Sequence, residues 1–291
     1  MSEIKYIYAR TPVFRKAYKN TYMIRVVDDR NFKDDPHGKG CAEKVFTVSE
    51  FEEYCAKAEF LSISLVLRNQ SELDFFADVF AQKEIGTVEP HFPDKAKIDL
   101  APLAKLEKVN EFFLVELPKI EKLWNAKENK SLKILHILNC NSLHDFSCLE
   151  GSGIETLKLF GCNGLSSFTS KLHIDDFSFV LKMPKLKSLH IEIVKDKPAE
   201  YYINILTQMK NLQEFMCPES FLTFEQFAYL AAKLPDCKGL ECSLYCKELG
   251  TYSIIGNRKP RFLRDMERVK KYKRQYEQLI NKFKNQPYPP V

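Results

Sequence analysis

Nowhere does this chain hold an apolar run long enough for a membrane-spanning helix. The first twenty residues also lack the apolar core of a secretory leader. Lys5, Arg10, Arg15, Lys16 and Lys19 stand among aromatics there instead. Missing too are the phosphate-binding Gly-x-x-x-x-Gly-Lys loop, the His-Glu-x-x-His zinc motif and the Gly-x-Ser-x-Gly nucleophile turn. Paired metal-ligand spacing is scarce: zinc cysteines come two to four residues apart. Of Cys217, Cys237, Cys242 and Cys246, only the last two come close to that. Acid–base residue types occur at His144-Asp145 and at His173 with Asp175 and Asp176, but no nucleophile is fixed relative to them, so they read as turn residues. The expectation is a protein with no catalytic residues, no cofactor and no metal.

What the chain does have is 291 residues, 45% hydrophobic and 29% charged, enough for a large core. Its nine cysteines are an odd count. Four of them (Cys140, Cys162, Cys217 and Cys242) fall at inward positions of a repeated pattern and read as small buried hydrophobes. With no leader segment, this usage leads to an expectation of a reducing, cytoplasmic location.

The pattern is a step of three and then two residues between apolar positions. It is clearest at Ile154, Leu157 and Leu159, followed by Cys162 and Leu165. One register earlier stand Leu132, Leu135, Ile137, Cys140 and Leu143. The step returns as Val109–Phe112–Leu114, as Leu186–Leu189–Ile191, and more weakly as Leu212–Phe215–Cys217 and Cys237–Leu240–Cys242. Such a step joins a short strand of period two to a turn that sends the next apolar residue inward. It resembles the leucine-rich repeat, whose signature has Cys or Asn where Cys140 and Cys162 stand. The resemblance covers about residues 85–245. First-position steps run 23 (Val109 to Leu132), 22 (to Ile154), 32 (to Leu186), 26 (to Leu212) and 25 (to Cys237). All but the 32 lie in the family's range of about 20–29. An upstream extension is expected at Ala58–Leu61–Ile63 and Ile85–Val88.

The resemblance implies an α/β fold: a curved leucine-rich-repeat solenoid with a parallel sheet on its concave side. An N-terminal α+β cap is expected over residues 1–58, the solenoid over 59–249, and a basic amphipathic capping helix with a tail over 250–291. In the cap, Tyr6–Tyr8 and Tyr22–Val27 read as a hairpin or small sheet, and Asp28–Gly40 as an exposed loop. Ser49 with Glu52 and Ser71 with Asp74 read as helix starts, and Thr223 with Gln226 as a capping box. From Arg261 to Lys284, Phe262, Met266, Val269, Tyr276, Leu279 and Phe283 recur at helical spacing. Between Arg258 and Lys284 eleven Lys and Arg face three acids, a local +8 in a chain of +5, so the remainder sums to −3. A basic helix of this kind suits a phosphate backbone or an anionic membrane surface, or serves as the solvated outer side of a cap.

Residues between the inward positions line the concave face, because strand side chains alternate. A central column reads Phe113, His136, Lys158, His190, Met216 and Glu241. Beside it run Val115, Leu138, Phe160 and Glu192 on one flank, and Glu111, Ile134, Thr156, Ser188 and Glu214 on the other. One half of the face is apolar, which marks an interaction site with aromatic anchors. Lys158 is expected to steer an acidic partner. Repeats of this family bind macromolecules, so the chain is expected to recognise a protein partner of unspecified identity through Phe113, Val115, Ile134, His136, Leu138, Lys158, Phe160, His190, Glu192 and Met216. Two rivals remain: a nucleic-acid-associated protein using the basic C-terminal helix, and an enzyme with its site in residues 1–58.

Overall fold

Each clear three-then-two step becomes a strand whose alternate side chains are buried. The computed structural model describes residues 4–10, 21–29, 43–92, 97–117, 119–161, 171–247, 250–256 and 261–286. Cys162, Leu165, most of the Asp28–Gly40 loop and the Arg258–Pro260 run lie outside the described residues. Five parallel strands carry the pattern: β6 (Val109–Val115), β7 (Ile134–Leu138), β8 (Thr156–Phe160), β9 (Ser188–Glu192) and β10 (Glu214–Met216). They belong to a ten-stranded, mostly parallel sheet that also holds β1 (Tyr6–Arg10), β2 (Thr21–Val27), β3 (Glu43–Thr47), β4 (Phe60–Val66) and β5 (Ile85–His91). Its order is β10-β9-β8-β7-β6-β5-β4-β2-β1-β3, so from β4 onward each strand adds beside its predecessor.

Homologous positions of successive strands sit side by side. Leu135 pairs with Phe112 and Leu157, and Leu157 pairs with Leu189. All four are fully buried, as are Leu114, Ile137 and Leu159 two residues on. The turns after β6 and β7 repeat as well. Glu116 and Asn139, each one residue past the strand, adopt φ of 56° and 57°. Their N–H groups donate to the carbonyls of Leu138 and Phe160 in the next strand. Cys140 then turns inward, its thiol 3.8 Å from the Leu114 carbonyl oxygen and 3.6 Å from that of Leu138.

Helices α1 (Val48–Lys57), α2 (Gln70–Phe80), α3 (Ala199–Leu206) and α4 (Phe224–Lys233) bury their apolar sides in one core with these inward residues. Among the described residues, the connections on either side of β8 carry 3₁₀ turns, at Ser147–Leu149 and Phe177–Lys182. Thr223 and Gln226 cap α4 reciprocally. The two earlier helix starts sit two residues upstream of the expected positions. α1 is capped by Thr47 and Glu50, and α2 by Asn69, whose Oδ1 accepts from the Glu72 N–H. In both, the preceding strand ends early enough that Ser49 and Ser71 already lie inside the helix.

Four further expectations are corrected. The upstream frame is not Ala58–Leu61–Ile63: Leu61 is 56% exposed, and the buried set is Phe60, Ile63 and Leu65. Phe60 pairs with Ile85, and Ile85 with Val109. The β1–β2 hairpin is not a small sheet of its own, because β2 pairs parallel with β4. Cys237–Leu240–Cys242 forms no strand; it keeps a single bridge, Glu214 to Lys238. Gly239 there adopts φ of 87°, and a Cβ would lie on the Phe215 carbonyl oxygen. This kink breaks the alternation, so Glu241 leaves the central column and accepts from the Gly239 N–H. Finally, Phe262 is not helical. A three-stranded antiparallel sheet, β11 (Ser243–Cys246), β12 (Thr251–Ile254) and β13 (Arg261–Leu263), precedes α5 (Met266–Phe283). Helix α5 buries Val269, Tyr276 and Phe283, and Tyr276 donates to the Leu240 carbonyl at 2.6 Å. Among the described residues no helix is long and apolar enough to cross a membrane.

Candidate functional site: the second face of the sheet

Inward residues of β4–β10 meet the helices, so their neighbours along each strand form the opposite face. The register aligns Phe113, His136, Lys158, His190 and Met216 in one row across five strands. Val115, Leu138, Phe160 and Glu192 form the next row, and Glu111, Ile134, Thr156, Ser188 and Glu214 the row before. All ten site residues expected from the sequence therefore share this face. Nine are half-buried and Met216 is exposed. Toward β1 the face closes: Tyr8 is fully buried, with the Arg25 guanidinium 5.3 Å from its ring centroid.

Polar groups on the face are arranged almost symmetrically about Lys158. On one side Thr87 donates to Glu111 Oε2 at 2.8 Å, and Glu111 Oε1 lies 3.1 Å from His136 Nε2. On the other, Ser188 donates to Glu214 Oε2 at 2.6 Å, and the same oxygen lies 3.0 Å from His190 Nε2. Phe113 stands edge-on to His136, ring centroids 5.1 Å apart. Burial, with the charge of Lys158 beside it, holds the His136 imidazole below the usual histidine range, against an opposing pull from Glu111. Hydrogen bonds from Ser188 and His190 hold the Glu214 carboxyl below the usual carboxylate range.

Ser188, His190 and Glu214 contain the residue types of a hydrolytic triad but not its wiring. Ser188 Oγ lies 3.1 Å from His190 Nε2, the same nitrogen that faces Glu214. A working relay needs serine and carboxylate on opposite ring nitrogens, so that one accepts while the other is held protonated. Here the serine proton goes to the carboxylate, and the group acts as a fixed polar surface.

No protein-family model and no curated protein matches this chain. The geometry of the face is therefore what bears on function.

Sequence reading missed the contribution of β5. Thr87 aligns with Glu111, and Glu89, two residues on, shares that face and lies 3.3 Å from His91. The signal that finds them is the step Ile85–Val88–Pro90, read together with Phe60–Ile63–Leu65. With Glu89, Glu111, Glu192 and Glu214 on one face, Lys158 is outnumbered and does not set the sign of the local field.

The other candidates fall to structural roles. His173 pairs with Asp196 at 2.8 Å, and its ring lies 6.0 Å from that of His144, between strands. Asp176 accepts from the Ser178 N–H and the Tyr201 hydroxyl at the start of a 3₁₀ turn. Burial pushes the thiols of Cys140 and Cys237 up to about 12 and that of Cys242 to about 11, which keeps them protonated and unreactive. Among the described residues no three His, Cys, Asp or Glu side chains converge to hold a metal ion.

Proposed function

We propose that the chain is a leucine-rich-repeat solenoid that recognises a protein partner through the second face of its sheet, that it catalyses no reaction, and that it works in the cytoplasm. One observation carries this reading. Sheets built of parallel strands normally have both faces covered, yet here the helices occupy one face and the other presents ordered rows of half-buried side chains. Phe113, Val115, Ile134, Leu138 and Phe160 give that face an apolar half at the centre of the parallel run. Aromatic side chains in such a setting act as energetic anchors, and bordering polar groups supply orientation. The His136 and His190 pairs with Glu111 and Glu214 hold the polar half in fixed geometry before any partner arrives, which lowers the ordering cost of association. Unreactive buried thiols suit a reducing compartment.

The test is affinity capture on the full chain, followed by titration of the captured protein against face variants. Phe113→Ala and Phe160→Ala should each weaken binding by about 1–4 kcal/mol, with unchanged melting of the free protein. Charge reversal at Lys270 and Lys271 should leave the affinity alone. A partner that binds the Phe113/Phe160 double variant as tightly as the parent, and is lost on charge reversal, assigns recognition to α5 and defeats this reading.

A further inference from the structure

Half of the large apolar side chains exposed on the described residues cluster in one short stretch: Leu244, Tyr245, Phe262 and Met266, beside Met23, Leu61, Leu181 and Met216 elsewhere. The stretch is the β11–β13 sheet and the start of α5. It adjoins the most basic segment of the chain. Capping of α4 accounts for Val269, Tyr276 and Phe283. It does not account for this surface.

The register sorts the exposed residues onto two faces. Tyr245, Tyr252 and Leu263 align across the three strands, and Leu244, Ser253 and Phe262 align on the other side. The second face carries a carboxylate, since Ser253 donates to Glu219. The first carries cations. Tyr245 is 57% exposed, and its ring centroid lies 4.9 Å from that of Tyr252. Lys273 Nζ approaches the Tyr252 ring at 5.9 Å. Leu263 leads into a cleft of about 590 Å³ lined by Arg268, Lys271, Tyr272 and Gln275. Arg268 pairs with Asp265 at 3.5 Å, both largely exposed, while Lys271 and Lys273 have no carboxylate partner among the described residues.

We infer that this row binds single-stranded nucleic acid, with an unpaired base stacked on the exposed Tyr245 ring, which Tyr252 supports from behind, and the phosphates held by Lys273, Lys271 and Arg268. Stacking on aromatic rings tolerates any base, because every base has a π face, and nearby cations follow the backbone. A duplex keeps its base faces hidden and has no use for a tyrosine ring open to solvent. An anionic bilayer would need a broad aliphatic surface beside the cations, whereas Leu263 is the single aliphatic side chain of this row and is half-buried.

The experiment is fluorescence polarisation of a short labelled oligouridylate with the full chain, over a range of salt. Binding should weaken with salt at a log–log slope of about −2, as three neutralised single-strand phosphates require. Tyr245→Ala should weaken it about 5- to 100-fold and Tyr245→Phe should retain it, as expected of a base stacked on the ring. Lys271→Gln with Lys273→Gln should weaken binding and flatten the salt slope. Melting curves establish that each variant is folded. The inference is overturned by no binding at low salt, by equal binding of a duplex with Tyr245→Ala harmless, or by binding confined to phosphatidylserine vesicles. None of these outcomes touches the protein-recognition reading, which rests on a different face.

Discussion

His136 shows what burial on a half-open sheet face does to a single side chain. Only 18% of it is exposed, Lys158 and His190 disfavour its charged form, and Glu111 alone favours it. Its folded-state pKa is depressed, so between that value and the ordinary histidine pKa the unfolded chain binds more protons than the folded one. Stability therefore rises with pH through this window and is lost as pH falls below neutrality. A urea titration near neutral pH and again in mild acid should show the parent losing more stability than His136→Gln. Equal losses would mean that the imidazole does not feel its surroundings. A second buried polar residue, Asn129, was not apparent from its surroundings in the sequence. It accepts from the indole of Trp124 at 2.5 Å and donates to the carbonyls of Leu103 and Leu106. These bonds join two successive connections, satisfying carbonyls that burial would otherwise leave unpaired.

Among the elements, register decides which residues matter. Leu135→Ala should cost about 2–5 kcal/mol, because a fully buried side chain leaves a cavity. Leu61→Ala, in an equally apolar stretch but on the exposed side, should stay within about half a kcal/mol. Denaturant midpoints of the two variants check both numbers; a comparable loss at Leu61 would mean that β4 is threaded one residue out of place. This pair also explains how much was legible. From Val109 to Ile191 the spacing picks out the strands and the shared face, since one-residue slips would bury His136 and expose Leu135. Upstream it fails because Phe60 and Leu61 are both apolar and only pairing with Ile85 selects between them. At Cys237 it fails because the kink at Gly239 leaves the apolar spacing intact while ending the strand. The β11–β13 sheet escaped notice because strands of three or four mixed residues carry too few alternations to be read. The candidate face was legible as columns, but its paired histidines and carboxylates were not, because they join different strands through side-chain rotamers.

For the whole molecule, the decisive question is what closes the C-terminal end. Helix α5 packs Tyr276 against Phe224, with ring centroids 5.2 Å apart, and Phe283 against Tyr229 at 5.6 Å. Gly256 anchors the preceding turn: its N–H donates to the Glu219 carbonyl at 2.8 Å, and a Cβ there would strike the backbone of Phe224. Deleting residues 265–291 should uncover these rings and the apolar edge behind them. Three large side chains at about 1.5–3 kcal/mol each, at about 2–4 °C per kcal/mol for a chain of this size, imply a fall in Tm of about 10–35 °C or outright aggregation. Calorimetry and light scattering read both. A truncated chain that stayed monomeric with its melting unchanged would reduce α5 to a tethered basic tail.

The consecutive strand order from β4 to β10 has a mechanical consequence. In a doubly wound sheet, pulling on the chain ends loads many strands together. Here each strand from β4 on is zipped along its length to the one made just before it, so tension applied at the C-terminus meets one row of hydrogen bonds at a time. Once α5 and the β11–β13 sheet have come away, the chain should pay out as a series of short releases, each the length of one strand and its connection, beginning at the three-residue strand β10. The same sequential dependence runs in reverse during synthesis, when each new strand finds its template already laid down by the residues that left the ribosome before it.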